Sequence, residues 1–292
     1  MSRRILLFGQ LDPLVLVVPA GPFYIGYVLA AHSLAPTSWR FATALVCIVP
    51  FLGAGTVLLN DLYDVGVDRG SPRKSAMAHV TGTASDRRLA LAAAACLTVA
   101  LALAAVTSLA FLAVIAALVV LALVYSVPPV QLSRRPGLDL AANAIGIGAL
   151  VTVAGWVVAA GATLPPLAWL VTSSLGTGAY FVLTTLLDIG PDRAGGKRSV
   201  SVHLGWGGAC ALGTALIAAA DVGIVYMSLT TTILNPTFLW VAAPIIACEL
   251  AVLPIVAAHP AFGPQGLAAM SLLLFVGNLV ILLSYLDLLG PF

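Results

Sequence analysis

Nine stretches of this chain are apolar for about the length of a bilayer's hydrocarbon core. They run Leu14–Ala31, Trp39–Leu59, Leu89–Val106, Leu109–Tyr125, Leu140–Ala160, Leu167–Leu187, Ala209–Leu229, Thr237–Ala258 and Leu267–Leu289. None alternates with a two-residue period, so each is predicted to be a helix, since only helices and closed barrels satisfy backbone polar groups in lipid. Pro19, Pro22, Pro50, Pro244 and Pro254 are predicted to kink these helices, which a bundle tolerates. Composition agrees: 8% of the 292 residues are charged and 61% are hydrophobic, whereas about a quarter of a soluble domain is charged. A water-soluble enzyme is excluded, and a net charge of +2 argues against nucleic acid as a partner. The expected fold class is all-α: one polytopic domain over 1–292, a membrane bundle of about nine transmembrane helices.

Charge placement predicts the topology. Of the 13 basic residues, all but Arg40 fall in alternate connections. Arg3 and Arg4 precede the first span, and Arg69, Arg73, Lys74, Arg87 and Arg88 follow the second. Arg134 and Arg135 follow the fourth, and Arg193, Lys197 and Arg198 the sixth. The positive-inside rule then places the N-terminus in the cytoplasm and the end of a nine-span chain outside, in an integral protein expected in the cell membrane. Met1-Ser2-Arg3-Arg4 leads into apolar sequence without a small-residue cleavage site, so the first span is expected to be retained. Cys47, Cys96, Cys210 and Cys248 lie inside apolar runs without metal-like spacing and read as packing residues.

Within the basic connections one pattern occurs twice. Asp64-Val65-Gly66-Val67-Asp68-Arg69 is echoed by Asp188-Ile189-Gly190-Pro191-Asp192-Arg193, and the same offset carries Arg73-Lys74 onto Lys197-Arg198. Both copies follow even-numbered spans, so they share an orientation. This predicts two pseudo-repeated halves, roughly 14–125 and 140–258, around a central cavity open to the cytoplasmic side, with a ninth helix at 267–289.

Asn60, Asp61, Asp64 and Asp68 are spaced to share one helical face, as are Asp188 and Asp192. Five carboxylates at the mouth of an apolar bundle would repel one another and suffer desolvation. A hard cation relieves both, and an all-oxygen donor set favours magnesium (Mg2+), which bridges carboxylates to phosphate oxygens. Arg73, Lys74, Lys197 and Arg198 suit the remaining phosphate charge. Loop carboxylates often do no more than solvate a membrane surface, but solvation requires neither matched spacing nor matched basic pairs.

Asn60-Asp61-Leu62-Tyr63-Asp64-Val65-Gly66-Val67-Asp68 resembles the NDxxDxxxD motif of the UbiA-type intramembrane prenyltransferases. Asp188 to Arg198 is similar to their second motif, and Tyr125-Ser126-Val127-Pro128-Pro129 to their Tyr-Ser-x-Pro-Pro segment. The resemblance implies magnesium-dependent transfer of a prenyl group from an allylic prenyl diphosphate donor to an aromatic or other lipophilic acceptor in the bilayer. It implies that Asn60, Asp61, Asp64, Asp68, Asp188 and Asp192 hold metal and diphosphate, and that Arg73, Lys74, Lys197 and Arg198 neutralise the leaving group. Tyr125 is expected beside the developing cation, with Ser126 and Asn143 close by.

Three positions depart from the family pattern. Pro129 stands where many members carry a basic residue, with Arg134 or Arg135 as substitutes. Ser75-Ala76-Met77-Ala78-His79 lacks an Arg-Pro pair, and Gln10-Leu11-Asp12-Pro13 stands where an arginine often begins the first helix. These departures leave the acceptor open, and a membrane terpene cyclase on the same scaffold is the nearest alternative. A transporter is a remote one. Trp156, Tyr180 and Phe181 are candidate tunnel residues, set against generic packing. Asp221 and Glu249, deep in their spans, are expected in acceptor-side or structural polar roles, while His79 and His203 read as solvated.

Overall fold

The computed structural model describes residues 18–71, 78–82, 85–231 and 233–288. Arg73 and Lys74 lie outside them. Among the described residues nine apolar helices follow one another: α1 (Ala20–Ala31), α2 (Trp39–Asp68), α3 (Asp86–Thr107), α4 (Leu109–Ser126), α5 (Leu138–Ala160), α6 (Leu167–Leu186), α7 (Val200–Thr230), α8 (Phe238–Ala258) and α9 (Pro260–Tyr285). Eight are long and apolar enough to cross a membrane; α1 is shorter, and residues 14–17 of the predicted first span lie outside the described ones. Among the described residues there is no strand.

The helices α2, α3 and α4 pack together on one side, and α6, α7, α8 and α9 on the other, with α1 and α5 between. Small residues set the closest approach at the centre. Gly26 of α1 lies directly on the Thr152 carbonyl of α5, and Gly155 of α5 on the Phe23 carbonyl of α1, so a Cβ at either would collide with backbone. Lipid supplies no hydrophobic drive between helices, and such contacts make dispersion the adhesive. Phe23, Phe41, Ile48, Phe111 and Val157 fill the adjoining core.

Two of the long helices widen into a π-helical turn. In α2 this is Cys47–Gly53, which contains Pro50; proline has no N–H to donate and its ring crowds the preceding turn. In α5 it is Ala144–Leu150, where the Gly148 carbonyl accepts hydrogen bonds from the Thr152 hydroxyl (2.7 Å) and from Ser173 of α6 (2.9 Å). Two hydroxyl groups are thus satisfied on one carbonyl within the bundle, as lipid requires.

Two of the boundaries that differ from the sequence expectation matter for the site. The second span continues nine residues past Leu59, so Asn60 to Asp68 are its last helical turns. The seventh helix starts at Val200, not Ala209, and is kinked at Gly205 (φ +70°). His203 and three glycines dilute the apolar signal there. The earlier start is held by the Ser199 hydroxyl, which accepts from the Val202 N–H, and by Asp139, which accepts from the Val200 N–H (2.7 Å).

Candidate functional site

The last turns of α2 form one wall of the site. Asp61, Asp64 and Asp68 follow the i, i+3, i+7 spacing and all three are buried, whereas Gly66 on the opposite face is exposed. The other wall comes from the connection between α6 and α7. Asp188, half-buried, precedes the short helix Ile189–Ala194, which carries Asp192, buried. Gly195 brings the walls together: its backbone lies so close to α2 that a Cβ would stand 2.7 Å from Val67 Cα. Gly195→Ala is therefore expected to wedge the two aspartate segments apart, at a cost of roughly 1–3 kcal/mol in stability. Thermal unfolding in detergent checks this; an unchanged midpoint would show that the contact is not tight.

Across the junction, Lys197 Nζ donates to Asp64 Oδ2 at 2.8 Å, with only 2% of the Asp64 side chain exposed. Asn60 Nδ2 donates to the same oxygen at 3.3 Å, and Arg134 Nη2 to Oδ1 at 3.4 Å. Arg134 also donates to the Tyr63 carbonyl (3.2 Å). Arg135 instead donates to the Pro129 carbonyl (3.1 Å), so Arg134 is the loop cation that reaches the aspartates. Arg198 is exposed.

Burial alone would lower the basicity of Lys197, but the negative groups facing it, Asp64 foremost and Asp192 among them, hold its ammonium above the usual lysine range. Burial pushes the Asp192 carboxyl above the usual carboxylate range, against the pull of Lys197. Asp192 also accepts from the Ser199 hydroxyl at 3.2 Å. Tyr125, half-buried on the last turn of α4, lies next to Asn143 and within electrostatic reach of Lys197 and Asp64. Asn143 donates to the Asp139 carbonyl (2.9 Å), and Ser126 is buried on the turn beside Tyr125.

Six oxygen-bearing residues were expected to form one metal set. Among the described residues, no three carboxylate, imidazole or thiol groups converge closely enough to hold an ion by themselves. Asp64 accounts for part of this, being committed to two cations, and Asp61, Asp68 and Asp188 are engaged in interactions of their own. The donor chemistry still suits magnesium, which keeps several waters and takes one or two carboxylates when substrate phosphates complete its shell.

Sequence reasoning missed Asp139. It is buried beside this site, caps the start of α7 through Oδ2, and leaves Oδ1 without a partner. An acidic residue at the first turn of a span was the available signal. Other candidates lie elsewhere. Trp156 donates to Thr163, and Tyr180 hydrogen-bonds with Ser271. Asp221 of α7 and Glu249 of α8 are buried beside each other, roughly 30 Å along α7 from its first residue.

The match to the UbiA prenyltransferase family covers residues 20–262. The chain belongs to that family. Among characterised relatives of this UbiA-family member is a lycopene elongase/hydratase from Haloferax volcanii, 31% identical over 193 residues. That match spans 64% of this chain and 60% of the relative. A UbiA homologue from Archaeoglobus fulgidus, solved with GPP and Mg2+, has the same fold: TM-score 0.71, 22% identity, covering 94% of this chain and 99% of that one. An apo UbiA homologue from Aeropyrum pernix also superposes, with a TM-score of 0.68 and 21% identity over 93% and 96% of the two chains.

Proposed function

We propose that this protein transfers a prenyl group from an allylic prenyl diphosphate to a lipophilic acceptor held in the bilayer. The observation that carries this reading is the Lys197–Asp64 contact, which joins the two aspartate segments into one site with a cation between them. The Archaeoglobus fulgidus homologue is solved with DMAPP or GPP together with Mg2+, which supports the same donor class.

Asn60, Asp61, Asp64, Asp68, Asp188 and Asp192 would hold magnesium, which supplies Lewis-acid stabilisation of the departing diphosphate. Lys197, Arg134, Arg198, Arg73 and Lys74 would neutralise the rest of its charge. As the carbon–oxygen bond breaks, the Tyr125 ring would face the allylic cation with its π surface, with Asn143 and Ser126 fixing the polar edge of that pocket. The surrounding apolar helices would exclude water, which would otherwise capture the cation. The acceptor's electron pair then forms the new bond to the allylic carbon, and its displaced proton leaves to solvent or diphosphate.

An isoprenoid is the favoured acceptor class, because the Haloferax volcanii relative is a lycopene elongase/hydratase. The two aspartate walls are read as the cytoplasmic ends of two parallel pseudo-repeats, in line with the basic connections. Purified protein given magnesium, allylic diphosphates of increasing length, and isoprenoid or phenolic acceptors is expected to release diphosphate and form a prenylated acceptor. A hydrocarbon or terpene alcohol formed without added acceptor would favour cyclisation. Chelation with EDTA is expected to lower turnover by about 10³-fold and added magnesium to restore it; activity that survives chelation would overturn the metal dependence.

A further inference from the structure

Resting on that reading, the arrangement around Asp64 says how the two charged ligands must bind. Asp64 Oδ2 accepts from Lys197 at 2.8 Å and Oδ1 from Arg134 at 3.4 Å. A divalent ion that takes this buried carboxylate competes with those cations for its charge. An ammonium displaced within the site would keep Asp192 as a facing carboxylate but lose its 2.8 Å partner, which is costly. Diphosphate supplies the missing anion. Diphosphate arriving alone meets the opposite problem, since it must draw Lys197 and Arg134 away and leave Asp64 uncompensated beside Asp192. Arg134 also holds a donor in reserve: its Nε is buried and has no acceptor, and a guanidinium with a free edge suits the paired oxygens of a phosphate.

We propose that Lys197 and Arg134 form an exchange latch: they neutralise Asp64 until metal and diphosphate arrive together, then pass to the diphosphate as the metal takes the carboxylate. Metal and diphosphate therefore bind with strong mutual dependence, each raising the other's affinity by the same factor.

The test is binding, followed with Mn2+ by electron paramagnetic resonance on the full chain in detergent, with inorganic diphosphate as the second probe. Saturating diphosphate is expected to tighten Mn2+ binding to the wild type by about tenfold or more. Lys197→Met is expected to move the two single-ligand affinities in opposite directions. Mn2+ alone binds about fivefold more tightly because Asp64 is partly released, while diphosphate alone binds more weakly. Arg134→Met should show the same opposed signs and serves if Lys197→Met does not fold. Arg193→Met removes an exposed neighbouring charge and is expected to change Mn2+ affinity by less than about twofold. Metal–diphosphate association in solution is measured without protein and corrected for before the affinities are compared.

A merely structural lysine would weaken both ligands when removed, and that outcome overturns the latch. So does independent binding of Mn2+ and diphosphate to the wild type. The functional reading fails separately: wild type that binds neither probe, or Asp64→Asn that binds both together as tightly as wild type, would remove the site itself.

Discussion

Asp64→Asn is expected to lower magnesium-dependent turnover by about 10³-fold while the helical bundle remains folded. Asp64 touches both walls: it lies on α2, yet it binds Lys197 from the α6–α7 connection and Arg134 from the α4–α5 connection. The amide keeps the shape and the Asn60 neighbour but loses the charge that Lys197, Arg134 and an incoming metal all require. Lys197 then keeps Asp192 as a facing carboxylate, so the stability loss should be modest, about 1–3 kcal/mol. Diphosphate release from an allylic donor, measured beside circular dichroism of the same preparation, checks both halves. Turnover within about tenfold of wild type would show that the chemistry lies elsewhere.

The second large effect is expected at Lys197. Lys197→Met should lower turnover by about 10²-fold or more through the loss of a cation at the leaving group, with Lys197→Arg recovering part of it. Because Lys197 is held protonated above its usual range, its stabilising contribution is fully present below the unfolded lysine value. It is lost only as pH rises through the higher folded value. The wild type and Lys197→Met are therefore expected to differ by a constant stability increment across neutral pH, with the gap closing only in strong alkali. A gap that closes near pH 7 would mean that the ammonium is not paired as described.

Legibility in the sequence followed the range of the interactions involved. The buried face Asp61–Asp64–Asp68 was readable because helical periodicity is local, and the match of Lys197 to Arg73 was readable as a repeated spacing. That these polar turns continue the second span without a break was not, because they carry no hydropathy signal. Asp139 was passed over for a similar reason. Its partner is the Val200 N–H, and nothing near it in sequence announces that the start of α7 lies against it.

The chain's sequence by itself determined that it is a helical membrane bundle, which connections carry the positive charge, and that two matched aspartate segments exist. Each of these follows from local rules: apolar length, charge asymmetry and periodicity. Only the tertiary structure decided that Lys197 closes on Asp64, that Arg134 and not Arg135 joins it, and that Gly195 sets the distance between the two walls. Those facts depend on segments 70 to 133 residues apart being pressed together by small-residue packing between apolar helices. In a medium that cannot solvate a lone charge, the charges then choose whichever partners the packing brings within reach.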